Sequence, residues 1–441
     1  MADQSSAYVR TEMLPEQSPP ALETGLLKWL RENLFSSPVN TILTLVSFVI
    51  IYLALSSFIP WAFYGIWDAS SLSECRAIRD ELYGAPDEHG HGDVACWAVI
   101  AERWPQILFG FYPSEYYWRP ILAFALFFVA IAPVLYDKLP RELAYFTPLA
   151  PFVIFWLLWG GTIWTPIAIA AGFVIGWACF KFGEEIIGSL GATIAAVVVP
   201  IVYWLLVAGP LTNGLAAILP IGIEPVESND FGGFLLALVI GISGIVLSLP
   251  LGIALALGRQ SDLFIINKFC VFFIEVFRGV PLIVWLFTAS LLLNYFLPPG
   301  TNFDLMLRVI ILVTLFAAAY LAEVIRGGLA ALPRGQYEGA DSLGLDYWQS
   351  MRLIILPQAM KISIPGIVST FIGLFKDTTL VVFIGLLDPL KGLSDAIRAT
   401  TEWNGIYWEL FIFSGLLFFI FCYGMSRYSM YLERKLATDH R

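Results

Sequence analysis

Charge is what this 441-residue sequence has least of. Only 14% of it is Asp, Glu, Lys or Arg, while 58% is hydrophobic. Soluble domains carry about 25% charged and about 45–50% apolar residues. A soluble core of this size would need more charge to cover its surface. The shortage is concentrated in repeated apolar runs of about twenty residues, the length of a membrane-crossing helix. Basic residues are also outnumbered, 25 Lys and Arg against 35 Asp and Glu, for a net charge of -10. That balance excludes the electrostatic footprint of a nucleic-acid binder. Histidine is scarce too, with three residues, and the five cysteines form no CxxC or Cys/His cluster. No metal constellation is expected; His89 and His91 read as part of an exposed polar loop. No GxxxxGK[ST] phosphate loop is present, so ATP has no backbone nest here. HExxH and GxSxG are missing as well, which leaves no enzyme site and no cofactor of the chain's own. A cleavable leader is not expected either. Residues 1–38 are polar and rich in proline, and the first apolar run starts near Val39.

What remains is an all-α, polytopic membrane protein of about ten helices. The apolar runs place them at 39–64, 119–136, 143–161, 163–180, 188–208, 232–257, 269–296, 305–325, 363–386 and 408–426. Lys and Arg placement orients them. With the N-terminus inside, the cytoplasmic segments hold Lys28, Arg31, Lys138, Arg141, Lys181, Arg259, Lys268, Arg326, Arg334, Arg352, Lys361, Arg427, Arg434 and Lys435. The outer segments 209–231 and 298–304 hold none, and 387–407, with Lys391 and Arg398, is a mild exception. Both termini are expected in the cytoplasm.

The chain divides into a cytoplasmic tail (1–38), an N-terminal membrane region (39–230) and a C-terminal five-helix region (231–441). No inverted repeat relates the halves. The long loop 65–118 is acidic, from Asp68 to Glu115, with Arg76, Arg79 and Arg103 opposing, and has aromatic ends. Facing the periplasm, it lies where disulfides persist. Cys75 and Cys96 either bridge within it or stand as two thiols. Cys179, Cys270 and Cys422 lie in or beside apolar runs and read as small hydrophobes.

The densest pattern is Glu338–Pro357. Glu338 opens a polar segment of helical character. Gly344 can take positive φ, end a short helix and turn the chain. Asp346 can N-cap a second helix whose apolar side is Trp348, Met351, Leu353 and Ile355. Pro357 is expected to break that helix before the next span. The expected result is a helix–turn–helix along the membrane surface.

Glu338, Gly339 and Ala340, then Gly344 after three residues, then Ile354, Leu356 and Pro357 after nine more, resemble the E-A-A loop of bacterial ABC-importer permeases. Gly339 replaces the central Ala of that pattern. Flanking segments extend the resemblance: EVFRGVPL at Glu275–Leu282, AYLAEVIRGG at Ala319–Gly328, PRGQ at Pro333–Gln336 and FKDTTL at Phe375–Leu380. Together they resemble the histidine/glutamine/glutamate branch of these permeases, over about residues 230–430. The additional N-terminal half resembles the larger permease of a general L-amino-acid uptake system.

The resemblance implies a subunit of the bacterial inner membrane that translocates polar L-amino acids by alternating access. ATP would be bound by a dimer of separate ATPase subunits docking on the 338–357 loop. A second, related permease subunit and a periplasmic amino-acid-binding protein would complete the assembly, in membrane lipid. An ion-coupled secondary amino-acid transporter is the rival class; it would need neither the loop nor an ATPase.

Charges inside spans are costly and must face protein or water. Glu275 with Arg278, and Glu323 with Arg326, stand one helical turn apart. Ion pairs that pin two helices are one reading; a gate is the other. Lys376 and Asp377, followed by Thr378 and Thr379, are placed near the middle of the ninth span. Either they serve the translocation path or they tie to Glu275 or Glu323.

Overall fold

The computed structural model describes residues 25–85, 93–136, 138–292, 295 and 304–437. His89, His91 and His440 lie outside them, as do most of the 1–38 tail and of the 298–304 segment. The chain separates into two compact units: Met1–Ile66 with Cys75–Cys96, and Trp67–Glu74 with Trp97–Arg441.

The first unit contains α1 (Gly25–Asn33) and the apolar α2 (Pro38–Phe63). Ser37 starts α2 by accepting the Asn40 N–H, and Pro38 occupies its first turn, where a missing N–H costs nothing. Most of α3 (Leu72–Tyr83) belongs here as well, with a disulfide joining Cys75 to Cys96 at a Cα separation of 6.1 Å. Arg79 braces the same loop by pairing with Asp80 and Asp93.

The second unit runs through α4 (Ala98–Phe109), α5 (Trp118–Leu135), α6 (Ala150–Trp159), α7 (Trp164–Val202) and α8 (Ala208–Ile218). It continues with α9 (Gly233–Arg259), α10 (Phe264–Gly279), α11 (Leu282–Phe287) and α12 (Leu305–Ala330). Last come α13 (Arg334–Ser342), α14 (Tyr347–Ser350), α15 (Leu356–Asp377), α16 (Gly392–Arg398) and α17 (Trp408–Ala437). Two two-residue strands, Gly161–Thr162 and Gly222–Ile223, pair antiparallel with Gly161 opposite Ile223.

Among the described residues, eight helices are long and apolar enough to cross a membrane, or nine if one bent pair counts as a span. Ten were expected. The run 143–161 yields only the ten-residue α6, because Gly160 takes φ 68° and ends it. The run 269–296 is two helices bent by 101°. Val280 before Pro281 is held extended, at φ −118° and ψ 133°, which stops α10. The runs near 163–180 and 188–208 are indeed separate spans: α7 breaks at Gly188, φ 73°.

Two apolar clusters stack along α9 and α12. One centres on Leu236, Ile240, Leu286, Met306 and Val309. The other centres on Ile274, Leu321, Ile325, Met351 and Ile355. The helices approach closely because α9 presents Gly244, Ser248 and Gly252 while α12 presents Ala317, Ala318 and Ala322. A Cβ on Gly252 would stand 2.8 Å from Leu321 Cβ. Small residues are how helices pack where lipid provides no hydrophobic drive. A third cluster joins Phe234, Ala237, Phe375 and Phe418, and fixes α15 and α17 against α9.

Candidate functional site

The segment after α12 is a small cap-and-turn structure. Helix α13 ends in two bonds that define a Schellman motif: Leu345 N–H to Ala340 O at 3.3 Å and Gly344 N–H to Asp341 O at 2.9 Å. Gly344 sits at φ 70°, a conformation that favours glycine. Asp346 then caps α14, accepting the Gln349 N–H at 2.8 Å, while Gln349 Oε1 accepts the Asp346 N–H at 3.2 Å. This reciprocal pair is a capping box. Gln358 ties the turn to α15 by donating to Gln336 Oε1 and Ile354 O, each at 2.9 Å.

Pro357 does not break the helix. Met351–Ile355 form a π turn that leads directly into α15, and Pro357 lies in the first turn of that helix. The wider turn accommodates a residue without an N–H. The second helix of the motif is therefore the start of a span and not a separate surface helix. Its expected apolar side is divided as well. Met351 and Ile355 are buried, whereas Trp348 and Leu353 are 70% and 64% exposed.

Ala340 is fully buried, Ile354 and Leu356 are half-buried, and Glu338 and Gly339 are exposed. A Cβ on Gly339 would meet nothing within 4 Å, so the Gly in place of Ala reflects no shortage of space. The outward surface thus combines the Glu338 carboxylate with Leu343, Tyr347, Trp348 and Leu353.

At the same end of α12 lies a cluster of five charges. Glu323 accepts from Arg326 Nε at 2.9 Å and also from its Nη2. Arg259 Nη1 stands 3.1 Å from Glu323 Oε2 and 3.2 Å from Glu275 Oε1, and Arg278 Nη1 lies 3.6 Å from Glu323 Oε2. Arg278 also lies over the Tyr320 ring, 5.5 Å from its centroid. Glu323 and Arg326 pair within one turn. Glu275 and Arg278 do not pair with each other; each reaches across to another helix. Arg259 joins α9 to α10 and α12. The sequence presents it only as a topology charge, because its partners are 16 and 64 residues away in the chain.

Lys376 and Asp377 fall inside the candidate span Tyr347–Ile384, at a change of helix type. They end α15, where a 3₁₀ stretch, Thr378–Ile384, takes over. No tie to Glu275 or Glu323 is made; those carboxylates are held by arginines. Lys376 is exposed and Asp377 half-buried. The Thr378 hydroxyl donates to Phe375 O at 2.7 Å and the Thr379 hydroxyl to Lys376 O at 2.9 Å, so both close the helix end.

Asp388, just beyond, carries no motif. Its side chain is buried and accepts N–H bonds from Leu390, Lys391 and Gly392 at 2.9, 3.2 and 2.8 Å. Burial pushes its carboxyl above the usual range, against the pull of those three bonds. A buried carboxylate before a Pro-x-x-Gly turn is the local signal for such a cap. No group of three His, Cys, Asp or Glu side chains that could hold a metal occurs among the described residues.

Apolar spans, close-packed small residues and a capped turn between two of them are the framework of a membrane permease subunit. The pattern of the binding-protein-dependent transport system inner membrane components matches residues 248–438. The chain is 58% identical over 441 residues, 99% of each chain, to the glutamate/glutamine/aspartate/asparagine transport system permease protein BztC of Rhodobacter capsulatus. It is 36% identical to the inner membrane amino-acid ABC transporter permease protein YhdY of Escherichia coli K12, over 93% of each chain. The glutamate/aspartate import permease protein GltK of Escherichia coli O6:H1 is 32% identical over 46% of this chain and 92% of its own. A solved amino acid ABC transporter is 30% identical, at a TM-score of 0.41, over 45% of this chain and 90% of that one. The chain belongs to the binding-protein-dependent transport system inner membrane components, in their branch of amino-acid ABC-importer permeases. Its N-terminal half is shared with BztC and YhdY, whereas GltK spans about half this length.

Proposed function

We propose that this permease carries polar L-amino acids across the bacterial inner membrane, with acidic amino acids and their amides as first candidates. Its long relative BztC, named for glutamate, glutamine, aspartate and asparagine transport, supports that substrate class. The observation that carries the mechanism is the capped turn at Gly344, with Glu338, Trp348 and Leu353 turned outward. This surface receives a separate ATPase subunit. A two-fold ATPase dimer presents two such grooves, so a second, related permease subunit fills the other. A periplasmic binding protein delivers substrate to the opposite mouth.

In this reading the turn is the lever and the charge cluster is the latch. ATP binding in the partners draws the loop inward, and hydrolysis releases it. Because Glu323 gathers charges from α9, α10 and α12, a push on α13 reaches three helix ends together. Both termini and the loop lie in the cytoplasm, on the Lys/Arg distribution. Lys376 and Asp377, at the far end of α15, offer both signs of charge to a zwitterion.

Proteoliposomes holding the complete assembly, with binding protein outside, test this. Uptake of glutamate should require ATP inside and ignore an imposed proton or sodium gradient. Gradient-driven uptake without ATP would assign the chain to the secondary transporters instead.

A further inference from the structure

Helix α1 and the start of α2 lie outside residues 248–438, over which the family pattern matches, and the proposed mechanism gives them no part. On a helical wheel, Leu26, Leu27, Trp29 and Leu30 of α1 occupy one side, and Lys28, Arg31 and Glu32 the other. Leu26, Leu27 and Trp29 are 72%, 55% and 54% exposed. The Thr44 hydroxyl donates to Leu34 O at 2.8 Å, which pins the connection at the end of the span. Between α1 and α2 lies a groove of about 380 Å³, with Asn33, Asn40, Thr44 and Ser47 on its wall and Phe48 and Ile51 further along α2.

Leu34 and Leu43 share the groove's wall with these polar groups, Ser47 is the last of them, and only Phe48 and Ile51 line it beyond, at the start of a helix long and apolar enough to cross a membrane. A phospholipid changes in the same way, from phosphate and ester oxygens to acyl chain, over the same boundary. The donors suit acceptor oxygens. Asn33 and Asn40 each use one N–H on a neighbouring residue and keep a second. Ser47 is exposed on α2, a helix long and apolar enough to cross a membrane. Lys28 and Arg31 put positive charge on the polar side of α1, offset by Glu32, which lies 3.8 Å from Lys28. Snorkelling cations and interfacial tryptophan are the usual company of headgroups.

We infer that α1 lies in the headgroup layer, apolar side down, and that the α1–α2 groove seats one bilayer phospholipid by its phosphate and ester oxygens. The lipid's acyl chain then runs along Phe48 and Ile51.

Two measurements on the full chain test this. Nitroxide labels at Leu26→Cys and Lys28→Cys, with Cys179, Cys270 and Cys422 replaced by Ser, report depth in phosphatidylglycerol-containing nanodiscs. Residue 26 should be reached by oxygen and residue 28 by a water-soluble nickel chelate; equal aqueous access at both would overturn the interfacial placement. Native mass spectrometry then counts retained phospholipid. Asn40→Leu with Ser47→Leu removes two hydrogen-bond donors, so retention should drop by about tenfold. Both positions are exposed, so leucine should leave the span intact, and an unshifted Cys75–Cys96 peptide in a non-reducing digest checks this. Undiminished retention in the intact variant would remove the bound lipid from the account.

Discussion

Arg259, the last residue of α9, meets Glu323 of α12 at 3.1 Å, and through the same nitrogen it also meets Glu275 of α10. Three helices are therefore joined at one guanidinium. The pair is partly exposed, so each contact is worth only about 0.2–1 kcal/mol. A double-mutant cycle with Arg259→Gln and Glu323→Gln should return a coupling energy in that range, read from thermal unfolding in nanodiscs. In transport, either variant should lower the ratio of amino acid moved to ATP hydrolysed. Zero coupling together with an unchanged ratio would reduce the cluster to independent surface charges.

Close approach of α9 and α12 rests on the absence of a side chain at Gly252. Gly252→Ala should destabilise the chain by about 1–3 kcal/mol through overpacking against Leu321. Gly339→Ala is the internal control, since a Cβ there meets nothing and gains helix propensity of up to about 1 kcal/mol. Equal stability of the two variants would show that the helix contact is looser than described.

The capped turn shows what the sequence makes legible. The Gly344 turn and the Asp346 cap were readable because both are local: one needs a positive φ and the other a short oxygen three residues ahead of a backbone N–H. Apolar runs located the spans for the same reason. The fate of Pro357 was not readable, because a π turn upstream absorbs the missing N–H. Neither was Arg259, whose role depends on two helices that follow it in the chain. The bend at Val280–Pro281 was written in the Pro, but the apolar run on both sides concealed it.

Asp377 provides a test of the substrate path. Asp377→Asn keeps the shape and removes the charge. If this carboxylate faces substrate, relative uptake of glutamate, glutamine and arginine should shift by about ten- to a hundredfold, the worth of one charged hydrogen bond. Competition assays at matched expression read this out. A parallel loss for all three substrates that tracks protein yield would make Asp377 a helix-end residue only.

The measurement that bears most directly on the account is coupling through the capped turn. Glu338→Ala removes the outward carboxylate, and Gly344→Asp forces a side chain onto a residue at φ 70°, at a cost of about 1–2 kcal/mol. Both changes lie on an exposed turn, so the spans should still insert and assemble. Amino-acid uptake and binding-protein stimulation of the partner ATPase are measured together in proteoliposomes. The account predicts that uptake collapses in both variants and that stimulation is lost with it. Full uptake and full stimulation in both would contradict it.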